Sequence, residues 1–169
     1  MFANSALQAP LTQGDLFDDC PLVGLNVDTS PVDLSSTTVK RWIARVIVLT
    51  QACDLVQAKA DRVLVARVHL AQQLVDQGLL KAGTIRDQVR RHQVFGWYFL
   101  AASTAPVVIP ESLIDLRDLH SVPRVVLEQL IAGGKRVASL ASPYREHLAQ
   151  HFAVTYMRVA LPEPYSSQP

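Results

Sequence analysis

The chain is poor in the features that usually announce a function. It has only two cysteines, Cys20 and Cys53, among 169 residues. Neither stands in a metal-ligand spacing, and a single disulfide between them is allowed by the sequence but not required by it. Long hydrophobic runs are missing as well. The longest, Val46 to Leu49 and Val94 to Ala102, fall short of the roughly 18 apolar residues that mark a membrane span. No one sign of charge dominates: the net charge is +1, so the whole-molecule field does not select nucleic acid. Glycine-rich phosphate loops, Cys-x-x-Cys pairs and the Gly-x-Ser-x-Gly elbow are all absent. These absences argue against P-loop nucleotide sites, zinc ribbons and α/β-hydrolase sites, and the expectation is no metal and no cofactor. Met1 to Gln13 has neither the basic start nor the apolar core of a secretory leader. The expectation is a cytoplasmic protein without membrane contact.

What is present points to a packed domain. The chain is 49% hydrophobic and 18% charged, drier than a disordered sequence. Its length suits one domain that buries about two-thirds of its unfolded surface. Residues 1–12 read as a flexible start, 13–162 as the domain and 163–169 as a tail. Gly14 to Phe17 predicts a turn into a short strand, and Asp18 to Ser36 a long loop. Lys40 to Thr50, Arg62 to His69 and Val94 to Ala102 predict strands. Leu70 to Gly78 and Ala82 to His92 predict helices. Val125 to Ile131 fits helix or strand, and Arg136 to Leu140 a strand. Ser142 and Pro143 start a last helix with Leu148, Phe152, Tyr156 and Val159 as its core stripe. Strands and helices alternate too poorly for a doubly wound parallel sheet. The expected fold is α+β: a small, strongly bent antiparallel SH3-like β-barrel with inserted helices and a C-terminal helix.

The richest stretch is Arg45 to Leu55, an apolar β-branched run that ends in Thr50, Gln51, Cys53 and Asp54. Strand ends and loops carry more than their share of function. These four residues are the expected ligand-binding floor. They also fit a plain strand end, with Cys53 packed and Asp54 capping the next turn. Strand alternation puts Asp118 and His120 on one face, a pairing that suits acid/base work or a solvated edge. Arg86, Arg90 and Arg91, beside His92, form a basic helix that suits phosphates. A solvated face, or pairing with the acidic N-terminal arm of Asp15, Asp18, Asp19, Asp28 and Asp33, fits them equally.

Gly14-Asp15-Leu16-Phe17 followed by Arg45-Val46-Ile47-Val48-Leu49-Thr50-Gln51 resembles the plasmid-maintenance toxin barrels of the PemK/MazF type. Thr50-Gln51-Ala52-Cys53-Asp54-Leu55 resembles a Ser/Thr-Gln-x-Cys-Asp-Leu motif of uncharacterised bacterial proteins, which brings no activity with it. The toxin resemblance implies a small barrel, often dimeric, whose members cut RNA without metal. It implies a working Arg, matched by Arg45, and a Ser or Thr on the following strand. Val63 to Val68 offers no hydroxyl at that place.

The leading expectation is therefore a binding or regulatory module of bacterial origin, in a toxin–antitoxin, mobile-element or defence setting. Its partners would be a second copy or a protein from the same operon, with nucleic acid less favoured. The first alternative is a metal-independent endoribonuclease using Arg45, Asp54 and His120. The second is a structural dimerisation protein with no ligand site.

Overall fold

A computed structural model describes residues 1–3, 9–26, 37–57, 60–105 and 107–157. Seven strands form one antiparallel sheet: β1 (Phe2–Ala3), β2 (Asp15–Asn26), β3 (Thr38–Val48), β4 (Arg62–Leu70), β5 (Trp97–Leu100), β6 (Ser112–Pro123) and β7 (Arg136–Leu140). The order across the sheet is β1-β7-β2-β3-β4-β6-β5. Five helices accompany it: α1 (Ala52–Val56), α2 (Ala71–Asp76), α3 (Ala82–Asp87), α4 (Arg124–Ala132) and α5 (Tyr144–Tyr156).

The strands are two-sided, which is why they read as near-continuous apolar runs. Alternation sends Leu16, Ile47, Ala66, Tyr98, Ile114, Leu116 and Ala138 to a first face, where Leu148 of α5 joins them. Phe17, Val46, Val48, Val63 and Val65 go to a second face, covered by Leu55 of α1 and Leu127 of α4. A third cluster packs Leu74 of α2 and Ile85 of α3 on Trp97, Phe99 and Leu113. Each fully buried Val, Leu or Phe stabilises the fold by about 1.5–3 kcal/mol.

Several expectations change. The sheet does not close into a barrel: among the described residues no pairing joins β1 to β5. The sheet is instead forked at its centre. β3 and β4 share only the pairs Val46–Arg67, Ile47–Ala66 and Val48–Val65. Beyond them β3 stays with β2 as far as Thr38, while β4 continues with β6 as far as Ser112. Much of the expected loop from Asp18 is strand, because Cys20 to Asn26 pair with β3; residues 27–36 lie outside the described part. The helix expected over Ala82 to His92 breaks at Gln88 into α3 and a 3-10 turn, Val89–Arg91. His92 ends that turn in the left-handed region, at φ 56°.

The acidic arm does not meet the basic helix. Asp18 pairs with Arg45, Asp19 with Lys135 and Asp15 with Arg136, whereas Arg86 pairs with its neighbour Asp87. Asp28 and Asp33 lie outside the described residues. No helix is long and apolar enough to cross a membrane among those residues. Leu148 carries the expected stripe of α5 into the core, but Tyr156 is half exposed and Val159 lies outside the described residues.

Candidate functional site

Where β3 and β4 part, a cleft of about 290 Å³ opens. It is lined by Ile43, Ala44 and Arg45 of β3, by Arg67 to Leu70 of β4, and by Gln73 of α2. The fork explains its chemistry. Paired strands bury their neighbours, but strands that separate leave a gap that polar side chains fill. Two guanidiniums, an imidazole and an amide line this gap, and no lining residue is a carboxylate.

Both arginines are held from behind. Nε and Nη2 of Arg45 donate to the two carboxylate oxygens of Asp18, the latter at 2.9 Å. Asp18 comes into reach because β2 bulges between Phe17 and Cys20. The Nη1 of Arg45 is buried and has no hydrogen-bond partner. Nη1 of Arg67 lies 3.5 Å from Asp118 Oδ2. A guanidinium fixed by a carboxylate keeps a fork of donors oriented for a second anion. His69 lies between these charges and Trp97, its ring 6.2 Å from the indole. Burial, and then the Arg67 charge, push its pKa down, so it is a neutral donor–acceptor near pH 7.

The back wall continues into an acid/base pair. Asp118 Oδ1 lies 2.7 Å from Nε2 of His120, and the Trp42 ring meets that imidazole edge-on at 5.5 Å. Asp118 therefore bridges His120 and Arg67. Beyond Leu116, whose N–H donates to the Gly96 carbonyl, no strand pairs with this β5-side edge of β6 among the described residues.

The expected ligand floor lies elsewhere. The Thr50 hydroxyl accepts from the Leu64 N–H at 2.7 Å, closing the ladder where β3 ends. Gln51 precedes α1, and its side chain makes no cap bond. Cys53 is exposed, with its sulfur 3.6 Å from Gln51 Oε1 and 3.9 Å from Asp54 Oδ1. Asp54 is exposed in the first turn of α1. None of the four lines the fork cleft.

The expected catalytic trio is not assembled either. Arg45 alternates with Ile47 toward the first face, whereas His120 stands opposite Val65 on the second. Asp54 is on α1. Of the basic residues, Arg86 and Arg90 border a separate cavity of about 380 Å³ beside α2, with Arg90 stacked 5.1 Å over Phe99. Arg91 is exposed and is not among the residues lining it.

One cluster escapes the reading from sequence. His92 packs on Tyr98, His147 and His151, at ring separations of 4.6, 4.4 and 5.7 Å. The signal was legible: His147 and His151 stand four apart, a spacing that puts both on one helix face. Nδ1 of His92 is buried without a partner. Desolvation, then the His147 and His151 charges, push its pKa down to about 4. Among the described residues no group of three or more His, Cys, Asp or Glu side chains is arranged to hold a metal ion.

No protein-family model matches the chain, and no curated protein matches it.

Proposed function

We propose that the protein is a binding module that takes an anionic group, a carboxylate or a phosphate, in the cleft at the β3/β4 fork. The observation that supports this most is the convergence of Arg45, Arg67 and His69 on one cleft with no carboxylate in its lining. Asp18 and Asp118 hold the guanidiniums without occupying the gap. Charge-assisted bonds to an oriented guanidinium are about twice as strong as neutral ones. The site thus moves from the end of β3, where Thr50 is committed to the backbone, to its middle. Arg45 is common to both.

The test is calorimetry with inorganic pyrophosphate as probe. Saturable binding should weaken about tenfold or more in Arg45→Gln and again in Arg67→Gln, as charge-assisted bonds of about 1.5–3 kcal/mol imply. Binding that ignores both substitutions ends the proposal.

The bridging position of Asp118 favours one second reading, RNA cleavage without metal. His120 would move the proton, and the Arg67 charge would stabilise the phosphorane oxygens. This keeps the reaction class of the toxin resemblance but replaces Asp54 with Asp118, and Arg45 with Arg67. Purified protein incubated with single-stranded RNA in EDTA decides it. Cleavage that disappears in His120→Ala supports the reading, and intact RNA removes it.

A further inference from the structure

The β2–β3 hairpin runs out beyond the sheet. From Thr38 to Ala44, β3 pairs with β2 alone, because its pairing with β4 begins at Val46. Its other edge has no backbone partner among the described residues. β2 too has an edge without a strand partner among the described residues, from Cys20 onward. The two edges are not equivalent. The edge of β2 is guarded by Pro21, which lacks an N–H, and by a bulge with Asp19 at φ 57°. The edge of β3 has neither guard.

The side chains beside that open edge are just as unusual. The register sets Pro21, Val23 and Leu25 against Ile43, Arg41 and Val39 on one face. Val23, Leu25, Val39 and Ile43 are between 58% and 68% exposed, an apolar surface left uncovered among the described residues. Arg41 stands in its midst, exposed and without an ion-pair partner among the described residues. Along β3 the face reads Val39, Arg41, Ile43, Arg45: aliphatic and cationic in strict alternation. Its last two members line the fork cleft.

We propose that the open edge of β3 receives an extended acidic–aliphatic segment of a partner protein, added to the sheet as an eighth strand. Main-chain bonds to Thr38–Ala44 would supply affinity, and alternate side chains would supply specificity. Carboxylates four residues apart would face Arg41 and Arg45, with aliphatic side chains over Val39 and Ile43. The segment runs toward the fork, so its terminal carboxylate contact rests on the binding-module reading; the strand addition does not. Single-stranded nucleic acid fits less well, because this face has no aromatic ring on which bases stack. A second copy fits less well too: two β3 edges paired about Arg41 would set like charges opposite each other.

Fluorescence anisotropy tests this with a fluorescein-labelled octapeptide whose alternate positions read Val, Glu, Val, Glu with threonine between them, which puts both residue types in turn on one face. Its saturable binding should weaken at least about tenfold in Val39→Glu and in Arg41→Glu, as for central interface residues. Both sites are exposed, so the fold should survive, and pyrophosphate binding should persist in both variants. Bound peptide should also slow hydrogen exchange at amides of Thr38–Ala44. Loss of pyrophosphate binding in Arg45→Gln with peptide binding retained leaves the strand addition standing alone. No saturable binding up to millimolar peptide overturns it, as does binding indifferent to Val39→Glu and Arg41→Glu. Displacement by oligouridylate without exchange protection overturns it in favour of nucleic acid. A light-scattering dimer that Val39→Glu dissolves overturns it in favour of self-association.

Discussion

Asp18 holds Arg45 through both of its carboxylate oxygens, across a bulge that sets the acid one strand away from the base. Asp18 fixes the guanidinium while staying out of the cleft. The pair is a quarter to a third exposed, so its direct contribution to stability is small, about 0–1 kcal/mol. Arg45→Gln should therefore leave thermal unfolding nearly unchanged while weakening anion binding. Arg45→Lys should recover only part of the affinity, because a point charge cannot reproduce the fork. A large drop in melting temperature in Arg45→Gln would show that the residue is structural.

The buried pair of Asp15 and Arg136 should behave in the opposite way. The Asp15 side chain is fully buried, and that of Arg136 nearly so, at 3.1 Å. Ser139 and the Thr12 N–H also donate to the carboxylate. Burial pushes the acid's pKa up, against the pull of those donors and Arg136. Asp15→Ala strands a buried cation and should cost about 3–5 kcal/mol in urea unfolding. An apolar double replacement, Asp15→Leu with Arg136→Met, should restore most of that. A loss below about 1 kcal/mol in Asp15→Ala would contradict the burial of this pair.

The two thiols should differ sharply. Cys53 is exposed, whereas Cys20 is fully buried and its pKa is pushed up to about 11 by desolvation. A chromogenic disulfide reagent should react with one thiol per native chain and with the second only on unfolding. Two fast equivalents would place Cys20 outside the core.

Acid should weaken the fold through His92. Its folded pKa of about 4 lies below the ordinary value of 6.5. Between those values the unfolded chain binds more protons than the folded one, so stability rises with pH. The contribution is complete above pH 6.5 and is lost as pH falls toward 4. The groups facing His92 are His147 and His151 of α5 and Tyr98 of β5. His92→Asn tolerates the left-handed backbone and should flatten the dependence of urea midpoint on pH. An unchanged slope would show that another group carries it.

Much of the sheet was legible from local pattern. Val46 to Leu49 and Val63 to Val68 announce two-faced strands because both faces are covered, and both strands form where expected. Where the strands part was not legible. The contact of β3 with β4 stops after three pairs, and β6 carries extra residues, Leu116 to Asp118, opposite Ala66 and Arg67; both are tertiary features that no residue type signals. Asp18 read as loop acidity because its partner lies 27 residues away on β3. Thr50 read as a ligand contact because a strand-end hydroxyl looks the same whether it meets solvent, ligand or the Leu64 amide. Only the position of β4 decides among these.

The central claim is that an anion binds between Arg45 and Arg67. Amide chemical-shift mapping during titration with inorganic pyrophosphate tests it most directly. Saturable shifts should concentrate at Ile43 to Arg45 and Arg67 to Leu70, and vanish in the Arg45→Gln, Arg67→Gln double variant. Shifts centred instead on Gln51 to Asp54, or on Arg86 to Arg91, would contradict the account and return the site to one of those segments.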